Sequence, residues 1–169
     1  MAVSEHTESQ AVPQRIYDLL ETVTDPELPV VTLGDLGIIR DVQYQAGKVT
    51  VVITPTYTGC PAMDTMREEI RQALNGGGFA EVEVQTAIAP AWTTDWITER
   101  GRERLQAYGI APPQGCGAAA GSAEVMFCVP CPQCGSTNTE MLNEFGATAC
   151  KALYRCRSCL EPFDYFKPL

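Results

Sequence analysis

Two Cys-x-x-Cys pairs close together near the C-terminus, Cys131/Cys134 and Cys156/Cys159, constrain this chain more than any other feature; 21 residues separate them. Each pair can present two sulfurs from one tight turn, and zinc accepts four thiolates at tetrahedral corners. The first pair is followed by Gly135, which suits the sharp backbone turn of a knuckle. The second is followed by Leu160, so its turn must form without glycine. The interval fits a β-hairpin between the knuckles, with strands over 140–145 and 151–155 and a third over 161–166. The expected ligand set is Cys131, Cys134, Cys156 and Cys159. Cys128 makes another Cys-x-x-Cys with Cys131, and Cys150 precedes Cys156 by six residues, so sets using either stay open. Four thiolates closed around zinc leave no free position, which makes the metal structural rather than catalytic. Iron in a rubredoxin-like site takes the same ligands. A redox-active Cys-x-x-Cys and disulfides are the metal-free alternatives.

Charge and composition narrow what such a module does. The net charge is −9, but residues 126–169 carry four basic and four acidic side chains, so the excess lies in residues 1–125, with 8 basic and 17 acidic. Zinc ribbons often bind nucleic acid, and that binding draws on basic groups set against phosphates. Neither part of this chain offers the footprint, so no nucleic-acid partner is expected. The longest apolar run falls well short of the ~20 residues a membrane span requires, so no membrane partner is expected either. The opening MAVSEHTESQ lacks the basic and apolar segments of a secretory signal. A cytoplasmic chain is expected, where thiols stay reduced and paired cysteines favour metal over disulfides. The only histidine, His6, sits in a polar terminal stretch. This removes Ser–His–Asp and Cys–His catalysis and the Glu-x-x-His ligand pairs of carboxylate di-iron bundles. The chain is not expected to be catalytic alone.

The remaining sequence reads as an α/β (α+β) domain with a mixed sheet, in the order α-β-β-α-β plus a further helix, followed by the small β zinc ribbon. Residues 1–12 read as a flexible tail. Pro13 suits the first turn of a helix, and Ile16, Leu19, Leu20 and Val23 recur on one helical face. The helix should stop before Asp25-Pro26. Strands are expected over 38–44 and 48–54, with Gln45-Ala46-Gly47 as a hairpin turn. A second helix carries Met63, Met66, Ile70, Ala73 and Leu74 on one face and ends at Gly76-Gly77-Gly78; a third strand covers 80–88. A last helix is expected over 94–107, closed by Gly109. The domain limits are then 13–110, with a small-residue linker over 111–125 and the ribbon over 126–169.

Outside the ribbon, Cys60 is the candidate functional residue. It precedes Pro61 at the expected start of the second helix, where an N-cap sulfur would feel the positive end of the helix dipole and ionise more readily. A buried apolar cysteine is the competing reading. Asp25, Glu27 and Asp35 lie in the acidic loop before the first strand. They read as a solvated or capping set unless the sheet brings the loop beside Cys60, in which case the group becomes a transient iron or cluster site. Cys116, in the linker, reads as an exposed bystander.

The segments DPELPVVTLGDLG (25–37) and TPTYTGCPAM (54–63) resemble the iron–sulfur cluster assembly domain family. With CPQCG and the tail FGATACKALYRCRSCLEPFDYFKPL (145–169), the chain is similar to the PaaD-like family of phenylacetyl-CoA oxygenase (ring 1,2-epoxidase) components. The resemblance extends from about residue 13 to the end. It implies a bacterial protein of aerobic phenylacetate catabolism and an α/β first domain. It places a functional cysteine at Cys60, with Asp25 and Glu27 matching the family's acids. The implied partners are other subunits of this multicomponent monooxygenase, especially its iron–sulfur reductase or its di-iron oxygenase subunit. The implied cofactors are structural zinc and a transient iron–sulfur cluster or iron. The implied role is assembly, insertion or repair of a partner's iron–sulfur or di-iron centre, or, as the alternative, that of a non-catalytic structural subunit.

Overall fold

The computed structural model of the chain describes residues 5–57, 59–113 and 129–168. The chain divides into two compact units, Met1–Trp92 and Thr93–Leu169. In the first, α1 (Glu5–Leu20) is followed by a short antiparallel pair, β1 (Thr24–Asp25) and β2 (Leu28–Thr32). Then come β3 (Ile39–Gln45), β4 (Lys48–Ile53), α2 (Met63–Gly76) and β5 (Glu81–Thr86). These last strands form a mixed sheet in the order β3-β4-β5. β3 and β4 are antiparallel, joined by a two-residue turn in which Ala46 and Gly47 have φ of 50° and 86°. Positive φ at both central residues matches the turn to the twist of the strands. β4 and β5 are parallel, with Val49 opposite Val82 and Val51 opposite Val84, so the chain must cross over between them, which α2 does.

The core follows from the periodicities. Val49, Val51 and Ile53 alternate onto one face of the sheet and are fully buried. Met66, Ile70 and Leu74 of α2 and Ile16 and Leu20 of α1 are buried as well, as the helical spacing requires. Gly77 is needed where α1 and α2 approach: a Cβ there would lie 2.1 Å from Leu19 Cδ1.

Several boundaries differ from the sequence reading. α1 begins at Glu5, so residues 5–12, read as a tail, are helical, and Pro13 lies inside the helix rather than in its first turn. An internal proline removes one i→i−4 bond, a cost a helix can carry when its apolar face is buried. Residues 1–4 lie outside the described residues. The acidic loop holds the β1–β2 pair, too short to leave a period-2 signal. The helix expected over 94–107 is a 3₁₀ turn (Thr94–Trp96) and then α3 (Glu99–Tyr108). Thr98 interrupts them because its Oγ1 caps the new helix, accepting from the Gly101 N–H at 3.0 Å. Gly109 closes α3 in the left-handed region, φ 93°, as expected.

The second unit contains α3 and a sheet in the order β6-β9-β8-β7, from β6 (Ile110–Ala111), β7 (Thr139–Asn143), β8 (Lys151–Cys156) and β9 (Pro162–Phe166). Residues 93–110, expected in the first domain, and residue 111, expected to open the linker, belong here: β6 runs parallel to β9, with Ala111 opposite Tyr165. Ala111 is buried with Val129, Ala152, Tyr154, Phe163 and Tyr165, which explains the placement. Linker residues 114–125 and Cys116 lie outside the described residues.

The contact at Gly77 sets a test. Gly77→Ala should lower stability by about 1–3 kcal/mol, because Leu19 must leave its packed position. Gly76→Ala, with nothing within 4 Å of the added methyl, should be neutral or stabilise by up to about 1 kcal/mol. Urea titration of both variants gives the comparison.

Candidate functional site

The two knuckles close in the same way. Gly135 N–H donates to the Cys131 carbonyl (2.8 Å), and Leu160 N–H donates to the Cys156 carbonyl (3.0 Å). The N–H of each leading cysteine donates across its turn, Cys131 to Ser136 O and Cys156 to Glu161 O, both at 2.9 Å. The left-handed residue is Gly135 at φ 72° in one and Leu160 at φ 68° in the other. The second turn therefore forms without glycine by accepting a strained leucine, whose side chain is exposed.

These turns gather Cys131, Cys134, Cys156 and Cys159 with all four sulfurs within 4.8 Å of one another. Cys131 and Cys159 are 3.7 Å apart and Cys134 and Cys156 are 3.6 Å apart. Sulfurs about 2.3 Å from a tetrahedral zinc lie about 3.8 Å from each other, so the donor set fits that ion. Cys150 stands outside the group, buried beside Thr148 Oγ1 (3.0 Å). Cys128 lies outside the described residues.

The sulfurs differ electrostatically. The Cys156 thiol is pulled down to about 6 by the N–H of Cys159, with the N–H of Ser158 also lowering it. At Cys159 the N–H of Glu161 pulls down, but burial and the neighbouring sulfurs outweigh it and push the thiol up to about 12. Neighbouring thiols oppose each other's ionisation, and a divalent cation removes that opposition.

Two supporting contacts carry no sequence signature. Ser136 and Ser158 hydroxyls meet across the knuckles at 2.8 Å. Glu140 on β7 takes both Arg157 and Arg155, which hold its carboxyl below the usual carboxylate range.

Cys60 lies in the connection between β4 and α2. The expectation of an N-cap cysteine is corrected: α2 starts at Met63 with Ala62 as its cap, and Cys60 is in the preceding turn. The predicted fall in its pKa is corrected with it. Burial raises the thiol above its ordinary value, the Ala62 N–H opposes, the Glu27 and Asp25 carboxylates raise it further, and Tyr57 donates and lowers it. The fold thus brings Asp25 and Glu27 into electrostatic reach of the sulfur. Asp35 takes another role: it is fully buried, with its carboxylate accepting from Thr32 N–H (3.3 Å) and its own N–H donating to Thr32 Oγ1 (3.0 Å). Asp25 also ties a turn, accepting from Glu27 and Leu28 N–H at 2.8 and 2.9 Å.

The half-buried sulfur opens onto a cavity of about 300 Å³ walled by Thr54, Tyr57, Met63, Thr86, Ile88 and Trp92, among others. Trp92 is pinned by its indole N–H, which donates to Leu36 O at 2.9 Å. Thr54, Tyr57 and Trp92 were not singled out from the sequence as site residues; Thr54 and Tyr57 sit in the same TPTYTGCP run as Cys60. Among the described residues no helix is long and apolar enough to cross a membrane.

Comparison with known proteins bears on both regions. Residues 13–86 match the family described as iron-sulfur cluster assembly protein, and residues 116–167 match the PaaD zinc beta ribbon domain. A protein of Escherichia coli (strain K12), provisionally named as the D component of 1,2-phenylacetyl-CoA epoxidase, is 49% identical over 159 residues, covering 93% of this chain and 94% of that one. An Fe-S protein maturation auxiliary factor of Porphyromonas gingivalis is 38% identical over 53% of this chain and 87% of its own. The crystal structure of a domain of unknown function, DUF59, from Bacillus anthracis matches at TM-score 0.53 and 27% identity, over 57% of this chain and 92% of that one.

Two outcomes follow. Cys134→Ser should cut bound zinc from one ion per chain to a small fraction and melt the ribbon sheet, while the first unit keeps its own unfolding transition; metal analysis and circular dichroism measure both. Alkylation of Cys60, followed by peptide mass spectrometry, should show an inflection above that of a free cysteine. Glu27→Gln should lower it, because the lost negative charge no longer opposes the thiolate.

Proposed function

The chain belongs to the PaaD family of 1,2-phenylacetyl-CoA epoxidase components, and on that premise we propose that it is an accessory protein of the epoxidase system of aerobic phenylacetate catabolism. Its role in this reading is to assist assembly, insertion or repair of the iron–sulfur or di-iron centre of a partner subunit. The partner is the iron–sulfur reductase or the di-iron oxygenase. The observation that carries the reading is a half-buried thiol, Cys60, at a cavity and within reach of two carboxylates. Burial and the acids keep this thiol protonated until a cation arrives. Iron as cargo displaces the proton and is held by sulfur with carboxylate help, a donor set that binds without closing. That is the property a transfer site needs and a structural site lacks.

The ribbon does the opposite. Its four sulfurs would hold zinc with no open position, so it serves as a rigid element, suited to docking on a partner. The first-domain relatives named as Fe-S protein maturation auxiliary factors support iron handling by that half of the chain.

A second reading is a purely structural subunit of the oxygenase complex. The use of Asp25 and Asp35 as turn-tying carboxylates favours it, since it gives these acids work that needs no iron.

Cys60→Ala in a host growing on phenylacetate separates the two. On the accessory reading, epoxidase activity and cluster content of the reductase both fall severalfold, while the variant chain accumulates normally and keeps its zinc. Unchanged activity and unchanged cluster content would leave the structural reading standing.

A further inference from the structure

The two knuckles make the same turn with different residues at one position. Gly135 and Leu160 occupy it, each donating its N–H to the carbonyl of the leading cysteine. Both lie in the left-handed region, at φ 72° and 68°. Glycine enters that region freely, whereas any side chain there brings its Cβ too close to backbone oxygen. A Cβ built on Gly135 would meet nothing within 4 Å, so the turn constrains φ and not space. Glycine would serve the second knuckle equally well, and the chain carries leucine there instead.

Packing within the ribbon does not account for the leucine, because it is 71% exposed. Exposed apolar side chains are common by themselves. Met141, Leu142 and Phe145 are exposed on ordinary backbone. Ala46, the other non-glycine residue with positive φ among the described residues, is small and sits in the β3–β4 turn. Only Leu160 among them combines a strained backbone with a large apolar side chain facing solvent. A strained residue that the fold does not need is a candidate for work outside the fold.

The leucine stands on a fixed loop. Leu160 N–H donates to Cys156 O at 3.0 Å, and Cys156 N–H donates to Glu161 O at 2.9 Å. An anchor held in this way gives up little freedom on docking. The charge beside it has one sign. Arg157 is committed to Glu140, whereas Glu161 is exposed and takes part in no ion pair among the described residues. An apolar tip next to a free carboxylate fits an apolar pocket with a cation at its rim. Phosphate-rich surfaces, whether nucleic acid or lipid, repel that carboxylate.

We propose that Leu160 is the anchor by which the ribbon docks: its side chain enters an apolar pocket, with a basic group at the rim, on the iron–sulfur reductase subunit. This rests on the reading of the ribbon as a docking element and names the residue and the partner. The proposed iron–sulfur handling by the first unit favours the reductase, which carries such a centre, over the di-iron oxygenase.

The test titrates the full-length, zinc-loaded chain against purified reductase, and separately against purified oxygenase, by calorimetry. Wild type is compared with Leu160→Met, Leu160→Gly, Leu160→Asn and Glu161→Gln. Wild type should bind the reductase, and Leu160→Met, apolar and of similar volume, should keep most of the affinity. Leu160→Gly and Leu160→Asn should bind about 10- to 100-fold more weakly, the loss of one buried leucine. Glu161→Gln should weaken binding by up to about fivefold at low salt and have no effect at high salt. Glycine and asparagine both tolerate the left-handed region, so these two variants should keep one zinc per chain and melt no lower than wild type.

Leu160→Gly and Leu160→Asn chains that bind the reductase as wild type does overturn the proposal. So does loss of zinc or a clearly lower melting temperature in both, which would make Leu160 part of the ribbon's own structure. Binding to the oxygenase and not to the reductase overturns it too, as does a Glu161→Gln chain that binds unchanged at low salt. Each of these outcomes leaves the reading of the ribbon as a docking element in place. If wild type binds neither subunit, that reading falls and this inference falls with it.

Discussion

Four sulfurs within 4.8 Å of one another are the constraint on which the second unit depends. Thiols that close cannot all ionise without a cation among them, and protonated thiols cannot all hydrogen-bond within the same small volume. The knuckle turns, the strained Leu160 and the N–H groups aimed at Cys156 are all arranged around that point. The apolar core beside it is small: the ribbon's share is a cluster of eight buried residues that includes Cys131 and Cys156 themselves. A core of this size does not offset the chain entropy of ordering three strands and two knuckles. Metal binding then becomes folding free energy. β6 extends the same economy, since two residues after α3 add a parallel strand to β9 and carry Ala111 into the cluster.

The first unit sets its thiol in the opposite field. Cys156 receives backbone N–H groups and tends toward thiolate, whereas Cys60 faces burial and two carboxylates and tends toward thiol. One environment suits a tightly held cation, whereas a cation at the other would have to displace a proton. The contrast arises from backbone geometry rather than residue type, for both cysteines sit in tight turns. What separates them is which groups the turn points at the sulfur: amides in a knuckle, side chains of the β1–β2 turn at Cys60.

This difference also explains what could be read in advance. The gathering of the two Cys-x-x-Cys pairs, the strands of the ribbon, the β3–β4 hairpin and the buried faces of α1 and α2 were legible, because each is encoded in a local period or a turn residue. The position of Cys60 one turn ahead of α2 was not. Cys-Pro reads as an N-terminus, but the helix waits for Met63, whose side chain is buried in the first turn. The protonation of Cys60 was missed for a related reason, since the helix dipole is a local argument and the acids that reverse it come from residues 25 and 27 by way of the fold. β6 and the allegiance of α3 were missed because a two-residue strand has no period, and a composition-based linker boundary cannot see pairing across fifty residues. Asp35 was visible as an acid but not as a buried turn-tie, a role only its hydrogen bonds to Thr32 define.

The charge of the ribbon has a structural counterpart that bears on what it can bind. Its four basic side chains are committed to partners within the module. Arg155 and Arg157 share Glu140. Lys151, nearly buried, is 3.6 Å from Asp164, and Lys167 lies over the Phe145 ring at 4.4 Å and donates to the Glu144 carbonyl. Recruiting any of them to a phosphate would mean giving up one of these contacts, and for Lys151 it would also leave a largely buried carboxylate neighbour without its cation. The ribbon's basic side chains are therefore held in local contacts, two of them on one carboxylate, rather than gathered in a free basic patch. Such a surface discriminates little by charge, which directs attention to shape and to the apolar side chains it does expose, Met141, Leu142 and Phe145, along and just beyond its edge strand β7.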